Sequence, residues 1–230
     1  MAAAKRGPEG MLSGGEDVAA HYLRMPFAEK DMTVGLFGGS FNPPHAGHAL
    51  VAETALRRLK LDQLWWIVSP GNPLKDHSKL APLGERIALS KAYAKDPRVK
   101  VTAFEAAHHI RYTADMIHLV LQRNRGIHFV WIMGADSLRT FHKWERWREI
   151  VRSVPIAVID RPGSTLSFLS STMAKTFDHA RIDETDAPLL ARLWPPAWTF
   201  IHGPRSSLSS TALRGEAGGK DPESVEPAKP

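Results

Sequence analysis

At 230 residues, 43% of them hydrophobic and 23% charged, the chain has the length of one globular domain and enough apolar residues for a full core. It contains no cysteine, which excludes disulfides and thiolate metal sites and fits a reducing, cytoplasmic compartment. No apolar run reaches the roughly 18–20 residues that cross a bilayer, and no membrane partner is expected. Lys and Arg number 30 against 24 Asp and Glu, for a formal net charge of +6. The basic residues are spread along the chain, which suits a solvated surface or a pocket for phosphorylated small molecules as well as it suits nucleic acid.

Residues 1–31 lack the continuous apolar core of a secretory signal, and Glu9, Glu16 and Asp17 argue against a transit peptide, so they read as a flexible extension. Thr33–Phe37, TVGLF, is a short apolar run ended by glycines, the pattern of a buried strand. From Ala46 the period changes: Val51, Ala52, Ala55 and Leu59 share one helical face, with Glu53, Arg57 and Lys60 away from it. A second strand, Leu64–Ser69, leads into a loop punctuated by Pro and Gly. A helix over Leu83–Lys95 and a strand over Val99–Phe104 follow. Thr113 can cap a helix running to Arg123. Next come a strand at Ile127–Met133, helical material from Asp136 to Val151 and a strand at Ile156–Asp160. A last strand near Trp198–Ile201 precedes a short helix opening at Ser209. Residues 215–230 are Gly, Pro and charge with little to bury, and read as disordered. The alternation predicts one α/β domain over 32–214, a Rossmann-like, doubly wound, mostly parallel sheet with helices on both faces. In such sheets ligands bind at the carboxyl ends of the strands, where strand order reverses.

The stretch GGSFNPPHAGH, Gly38 to His48, lies at the end of the first predicted strand. Each feature has a structural reading: glycines ending a strand, prolines enforcing a turn, histidines capping or packing. Together they favour a phosphate site. Gly38 and Gly39 lack a Cβ, so a phosphate can approach the main chain. The helix beginning near Ala46 offers N–H groups and partial positive charge. His45 and His48 sit three apart, near enough in angle to reach one phosphate and donate to developing charge. Neither a dinucleotide G-x-G-x-x-G nor the P-loop lysine is present. Metal binding by the two histidines lacks a third ligand at suitable spacing, so no metal ligand is assigned.

GGSFNPPHAGH resembles the H-x-G-H signature of the nucleotidyltransferases, a superfamily related to class I aminoacyl-tRNA synthetases. Far downstream, LSSTALR (Leu208–Arg214) is similar to its I-S-S-T-x-[IV]-R motif. Within the superfamily the intervening segments resemble bacterial nicotinate-nucleotide adenylyltransferases: IRYTADMI is similar to their Y-T-x-D segment, and MGADSLRTFHKWERW to their G-x-D-x-[LF]…W…W segment. SPGNPLKD occupies the position of their substrate loop, with a loose match around Lys75.

The resemblance implies transfer of the adenylyl group of ATP to nicotinate mononucleotide, with His45 and His48 on the phosphates and the charged transition state. It implies main-chain contacts from Gly39, Ser40 and Phe41 to the nucleotide, and contacts from Gly134 and Asp136 to adenosine. With the first motif in place, Ser209, Ser210 and Thr211 become a cradle for the outer phosphates, and Arg214 a fixed positive charge. Trp144, Tyr112, Thr113 and Lys75 would take the nicotinate nucleotide, while the neighbouring Trp147 is assigned to the core. For Asp136 and Thr113 the structural alternative is helix capping. Magnesium would enter on the triphosphate, keeping waters and needing few protein carboxylates. A pantetheine-phosphate adenylyltransferase shares the first signature and stays open as an alternative, as does an RNA-binding synthetase-like module of a different class. Neither a lysine-rich signature nor an added RNA-binding region is visible, so nucleic acid is not an expected partner. The sequence fixes no oligomeric state, and no role is assigned to His108 or His109.

Overall fold

In the computed structural model, which describes residues 18–71, 80–160 and 170–202, strands and helices alternate along the chain. The strands are β1 (Thr33–Gly39), β2 (Gln63–Val68), β3 (Val99–Thr102), β4 (His128–Gly134), β5 (Ile156–Ile159) and β6 (Trp198–Ile201). The helices are α1 (Ala46–Arg58), α2 (Leu83–Tyr93), α3 (Phe104–Ala107), α4 (Thr113–Arg123), α5 (Ala135–Phe141), α6 (Trp147–Ser153) and α7 (Thr172–Thr176). The six strands form one sheet in the order β3-β2-β1-β4-β5-β6. All five pairings are parallel, so the sheet expected to be mostly parallel is wholly so among the described residues.

Parallel strands joined by crossover helices are covered on both faces, and their sequences become continuous apolar runs. QLWWIV and HFVWIMG are buried at every position but the first, and IAVI throughout. Successive side chains point to opposite faces. Trp65 therefore belongs to the core on one side, with Met116, Ile117, Phe141 and Ile150. Trp66 belongs to the core on the other, with Val51, Ala55, Ile87 and Leu190. Trp65, Trp66, Trp131 and Trp198 are all fully buried. Rings of this size remove about 150–250 Å² each from water, on the order of 4–6 kcal/mol apiece before entropy is counted.

Local sequence misplaces several boundaries. Phe104, expected to finish the third strand, opens α3. The helical stretch from Asp136 to Val151 is two helices, parted by a turn in which Arg146 has φ 52°. α7 and the 3₁₀ segments Asp178–Ala180 and Glu184–Arg192 carry too short or too proline-broken a pattern to be read, Pro188 lying inside the last. Of the extension read as flexible, residues 18–31 lie against the domain. The Tyr22 carbonyl accepts from the Ala103 N–H and the Thr102 hydroxyl, and Tyr22, Leu23 and Met25 pack on the two cores.

Candidate active site

The strand order reverses between β1 and β4: the chain leaves β1 toward β2 and β3, then returns to the other side of β1. Pairing of β1 with β4 ends at Phe37 and Ile132. Each strand continues two residues further, β1 paired with β2 as far as Gly39 and β4 paired with β5 as far as Gly134. The two central strands therefore part at their carboxyl ends, opening the crevice in which doubly wound sheets hold ligands. The GGSFNPPHAGH turn rises from one lip, and Gly134–Asp136 from the other.

His45 is the N-cap of α1, with extended φ −154° and ψ 172°. Its Nδ1 accepts from the Gly47 N–H at 3.1 Å, and Nδ1 of His48 accepts from the His45 N–H at 3.2 Å. The two rings thus form a reciprocal capping box, lying 3.9 Å apart at 34°. The structural reading of these histidines as caps therefore holds. An Nδ1 that accepts a main-chain N–H carries no proton, so in each neutral ring the proton sits on Nε2. Each ring becomes a donor of fixed tautomer, oriented by the first turn of the helix it starts. His48 is further held edge-on to Phe41, with centroids 5.0 Å apart.

Phe41 has φ 45°, a left-handed conformation that a bulky residue rarely adopts. Its ring is buried against Phe37 at 5.3 Å and Trp66 at 4.9 Å. Packing also requires the two glycines. A Cβ on Gly38 would meet Trp131 Cη2 at 2.7 Å, and one on Gly39 the Phe41 ring at 3.2 Å.

On the other lip, Gly134 is the N-cap of α5, and no side chain caps the helix. Asp136 is therefore not the N-cap expected as its structural alternative; it is exposed in the first helical turn. Trp144 is half-buried in the turn after α5, edge-on to Phe141 at 5.2 Å and to Trp131 at 6.3 Å. Trp147 is buried, in ring contact with Phe141 and Phe177. Two tryptophans three apart thus divide into one core residue and one left half-buried.

Thr113 does not cap α4. Tyr112 holds that position without a side-chain capping bond, and Thr113 is the first helical residue. Tyr112 is exposed, and its carbonyl accepts from the Asp115 and Met116 N–H groups. α4 is tied to the start of α6 by an ion pair from Arg146 to Asp115. Lys75, Ser209, Ser210, Thr211 and Arg214 lie outside the described residues.

Sequence reasoning passed over two buried charged groups, one tied to the turn after β1 and one at the end of β3. Arg86 of α2 is 1% exposed. Glu105 of α3 is 7% exposed, and burial pushes its carboxyl up to about 8. Both sit in helical sequence that reads as ordinary solvated surface, so only packing reveals them. His108 is brought against Arg123, with Nε2 3.4 Å from its guanidinium, and burial followed by that charge holds its pKa below the ordinary value.

A family model described as cytidylyltransferase-like matches residues 36–216, a span that takes in both signature motifs. The chain is 75% identical over 195 residues to a protein of Mesorhizobium japonicum named probable nicotinate-nucleotide adenylyltransferase, covering 85% of this chain and all of the relative. A Brucella abortus protein of the same name is 71% identical over 183 residues, covering 80% of this chain and 94% of its own. Among solved structures, Plasmodium falciparum nicotinic acid mononucleotide adenylyltransferase complexed with NaAD superposes with a TM-score of 0.58 at 17% identity, covering 80% of this chain and 83% of that one. The likeness at that identity is one of fold. With both motifs inside the matched span and its relatives matched over nearly their whole length, the chain belongs to the nicotinate-nucleotide adenylyltransferase family of cytidylyltransferase-like enzymes.

Proposed function

We propose that this enzyme transfers the adenylyl group of ATP to nicotinate mononucleotide, giving nicotinate adenine dinucleotide and pyrophosphate in NAD biosynthesis. The observation that carries the reading is 75% identity across the full length of a relative bearing that name. Identity at that level sets aside a pantetheine acceptor and an RNA-binding module.

A phosphate oxygen of the acceptor attacks the α-phosphorus of ATP in line. The bond from that phosphorus to the bridging oxygen breaks, and pyrophosphate leaves with the electron pair. No covalent intermediate is required, so rate comes from positioning and charge stabilisation. The Nε2–H groups of His45 and His48 donate to the phosphate oxygens as charge builds, with the N–H groups of the Gly39–Phe41 turn beside them. Ser209, Ser210, Thr211 and Arg214 take the outer phosphates. Asp136 and Gly134 hold adenosine on the opposite lip. Magnesium arrives with the triphosphate as part of that substrate.

Trp144 offers its open face to the pyridine ring, Lys75 a charge to the acceptor phosphate, and the first turn of α4 at Tyr112 and Thr113 its main-chain donors to the ring carboxylate. Donors satisfy both oxygens of an acid but oppose the NH₂ of an amide, and such a mismatch is worth up to about 10⁴ in kcat/KM. No helix among the described residues is long and apolar enough to cross a membrane, and with no cysteine in the chain we place the reaction in the cytoplasm.

The test is pyrophosphate release from purified protein with MgATP and a panel of acceptors. Turnover with nicotinate mononucleotide well above that with its amide is expected. Equal kcat/KM for the two would overturn the selectivity, and no release with either would overturn the reaction.

A further inference from the structure

We infer that Arg86 is a positioning residue for adenylyl transfer, the clamp that holds the strained Ser40–Phe41 turn in its working geometry. Arg86 lies in the first turn of α2 and is 1% exposed. Its Nε donates to the Ala81 carbonyl at 2.8 Å. Nη1 donates both to the Ser40 carbonyl and to the Ser69 carbonyl, each at 2.7 Å, and Nη2 reaches the Pro70 carbonyl at 3.3 Å. One planar guanidinium thus joins the residues just past β1, the residues just past β2 and the start of α2.

A buried guanidinium must be repaid in hydrogen bonds, and a rigid five-donor fork fixes its acceptors relative to one another. The bond to Ser40 falls on the peptide that enters Phe41, the residue with φ 45°. Non-glycine residues stay in that region only where their surroundings over-determine them. Two further ties run in parallel. The Ser69 N–H donates to the Gly39 carbonyl at 2.9 Å, and the Asn42 side chain accepts from the Ala81 N–H at 3.0 Å. Arg86 and Asn42 therefore close the turn from both sides, with the Phe41 ring packed beneath it against His48. Without the fork, the turn is free to relax toward negative φ at Phe41. The ring that supports His48 and the N–H groups at Ser40 and Phe41 then move together. A displacement of about 1 Å at such a point costs on the order of 10²-fold in rate.

The clamp acts on geometry that matters in the transition state, so its loss lowers kcat and kcat/KM for ATP together. Arg86→Lys keeps the charge and the stem but cannot span the Ser40, Ser69 and Ala81 carbonyls at once. In protein shown to be folded by circular dichroism and assayed well below its thermal midpoint, we expect kcat to fall about 30- to 100-fold. KM for ATP and for nicotinate mononucleotide should stay within about threefold of the parent. A fall in thermal midpoint with kcat within twofold of the parent would show a purely structural arginine and overturn the inference. Asn42→Ala cuts the parallel tie and leaves the guanidinium in place, which keeps the question answerable if Arg86→Lys does not fold. A fall in kcat of about three- to tenfold at unchanged KM is expected there, and unchanged kcat would overturn the clamp. Normal kcat with a raised KM in either variant would also overturn it, assigning these residues to ground-state binding. Because every arm is a ratio to the parent enzyme, a parent without turnover reports on the reaction proposed above and not on the clamp.

Discussion

The two lips of the crevice are built by different means. At the end of β1, directional polar bonds fix the chain: two imidazoles cap one another's backbone, and a buried guanidinium takes four carbonyls. At the end of β4, aromatic rings set edge to edge do the positioning, with Trp131 and Phe141 bracing Trp144. The contrast follows from what each lip is proposed to hold. Charge developing on a phosphate is stabilised by donors fixed in direction. A pyridine ring needs a broad apolar face whose exact angle matters less. The lips touch where Trp131 fills the space over Gly38.

The largest effect should come from separating the two duties of the histidines. His48→Ala should lower kcat by about 10²–10³, the cost of removing one transition-state donor. His45→Asn retains a good N-cap while losing the imidazole, so kcat should fall comparably, with stability within about 0.5 kcal/mol of the parent. Measured together, turnover and chemical denaturation distinguish donor from cap; near-normal turnover in folded His45→Asn would reduce the residue to a cap.

On the aromatic lip the loss should appear in binding. Trp144→Ala should raise KM for nicotinate mononucleotide by about tenfold, since a stacking face is worth roughly 0.5–1.5 kcal/mol beyond its area, with KM for ATP unchanged. Trp147→Phe should leave both KM values alone and act on the denaturation midpoint. An ATP-specific defect in Trp144→Ala would move that ring to the other substrate.

The contact between the lips is tested by Gly38→Ala. The new methyl overlaps a ring that is 1% exposed, and overpacking of this kind costs about 1–3 kcal/mol. Trp131→Leu makes room for it, so the double variant should lose less stability than the sum of the single ones, by at least about 0.5 kcal/mol. Strict additivity would show that the sheet shifts instead of the ring.

The smallest effect is set by pH and separates both lips from the end of β3. Burial raises the folded-state pKa of Glu105 to about 8 from an ordinary 4.5. Between those values the folded state holds a proton that the unfolded state has lost, so this group's contribution to stability falls as pH rises. The slope is at most about 1.4 kcal/mol per pH unit. Glu105→Gln removes that slope, so denaturation of parent and variant at pH 5.5 and 6.5 should diverge by about 1 kcal/mol. Parallel pH dependences would mean that Glu105 titrates like an exposed carboxylate.

Local chemistry made most of the frame legible. Apolar runs of strand length at Thr33, Leu64, Val99, Ile127, Ile156 and Trp198, with helical periods between most of them, specify a parallel sheet because only a sheet covered on both faces buries such runs. The place of the two-histidine turn, directly after the first strand, was readable from its run of glycines and prolines, which end a strand and enforce a turn. What the sequence could not supply were relations across the chain. That Gly38 answers to Trp131, that Arg86 reaches Ser40, and that Trp144 stays half-buried while Trp147 is buried all depend on which surfaces meet when β1 lies between β2 and β4. The break at Arg146 and the strain at Phe41 belong to the same class. Local propensity argues against both conformations; at Phe41 the guanidinium bond to Ser40 and the buried rings of Phe37 and Trp66 outweigh a cost of about 1–3 kcal/mol.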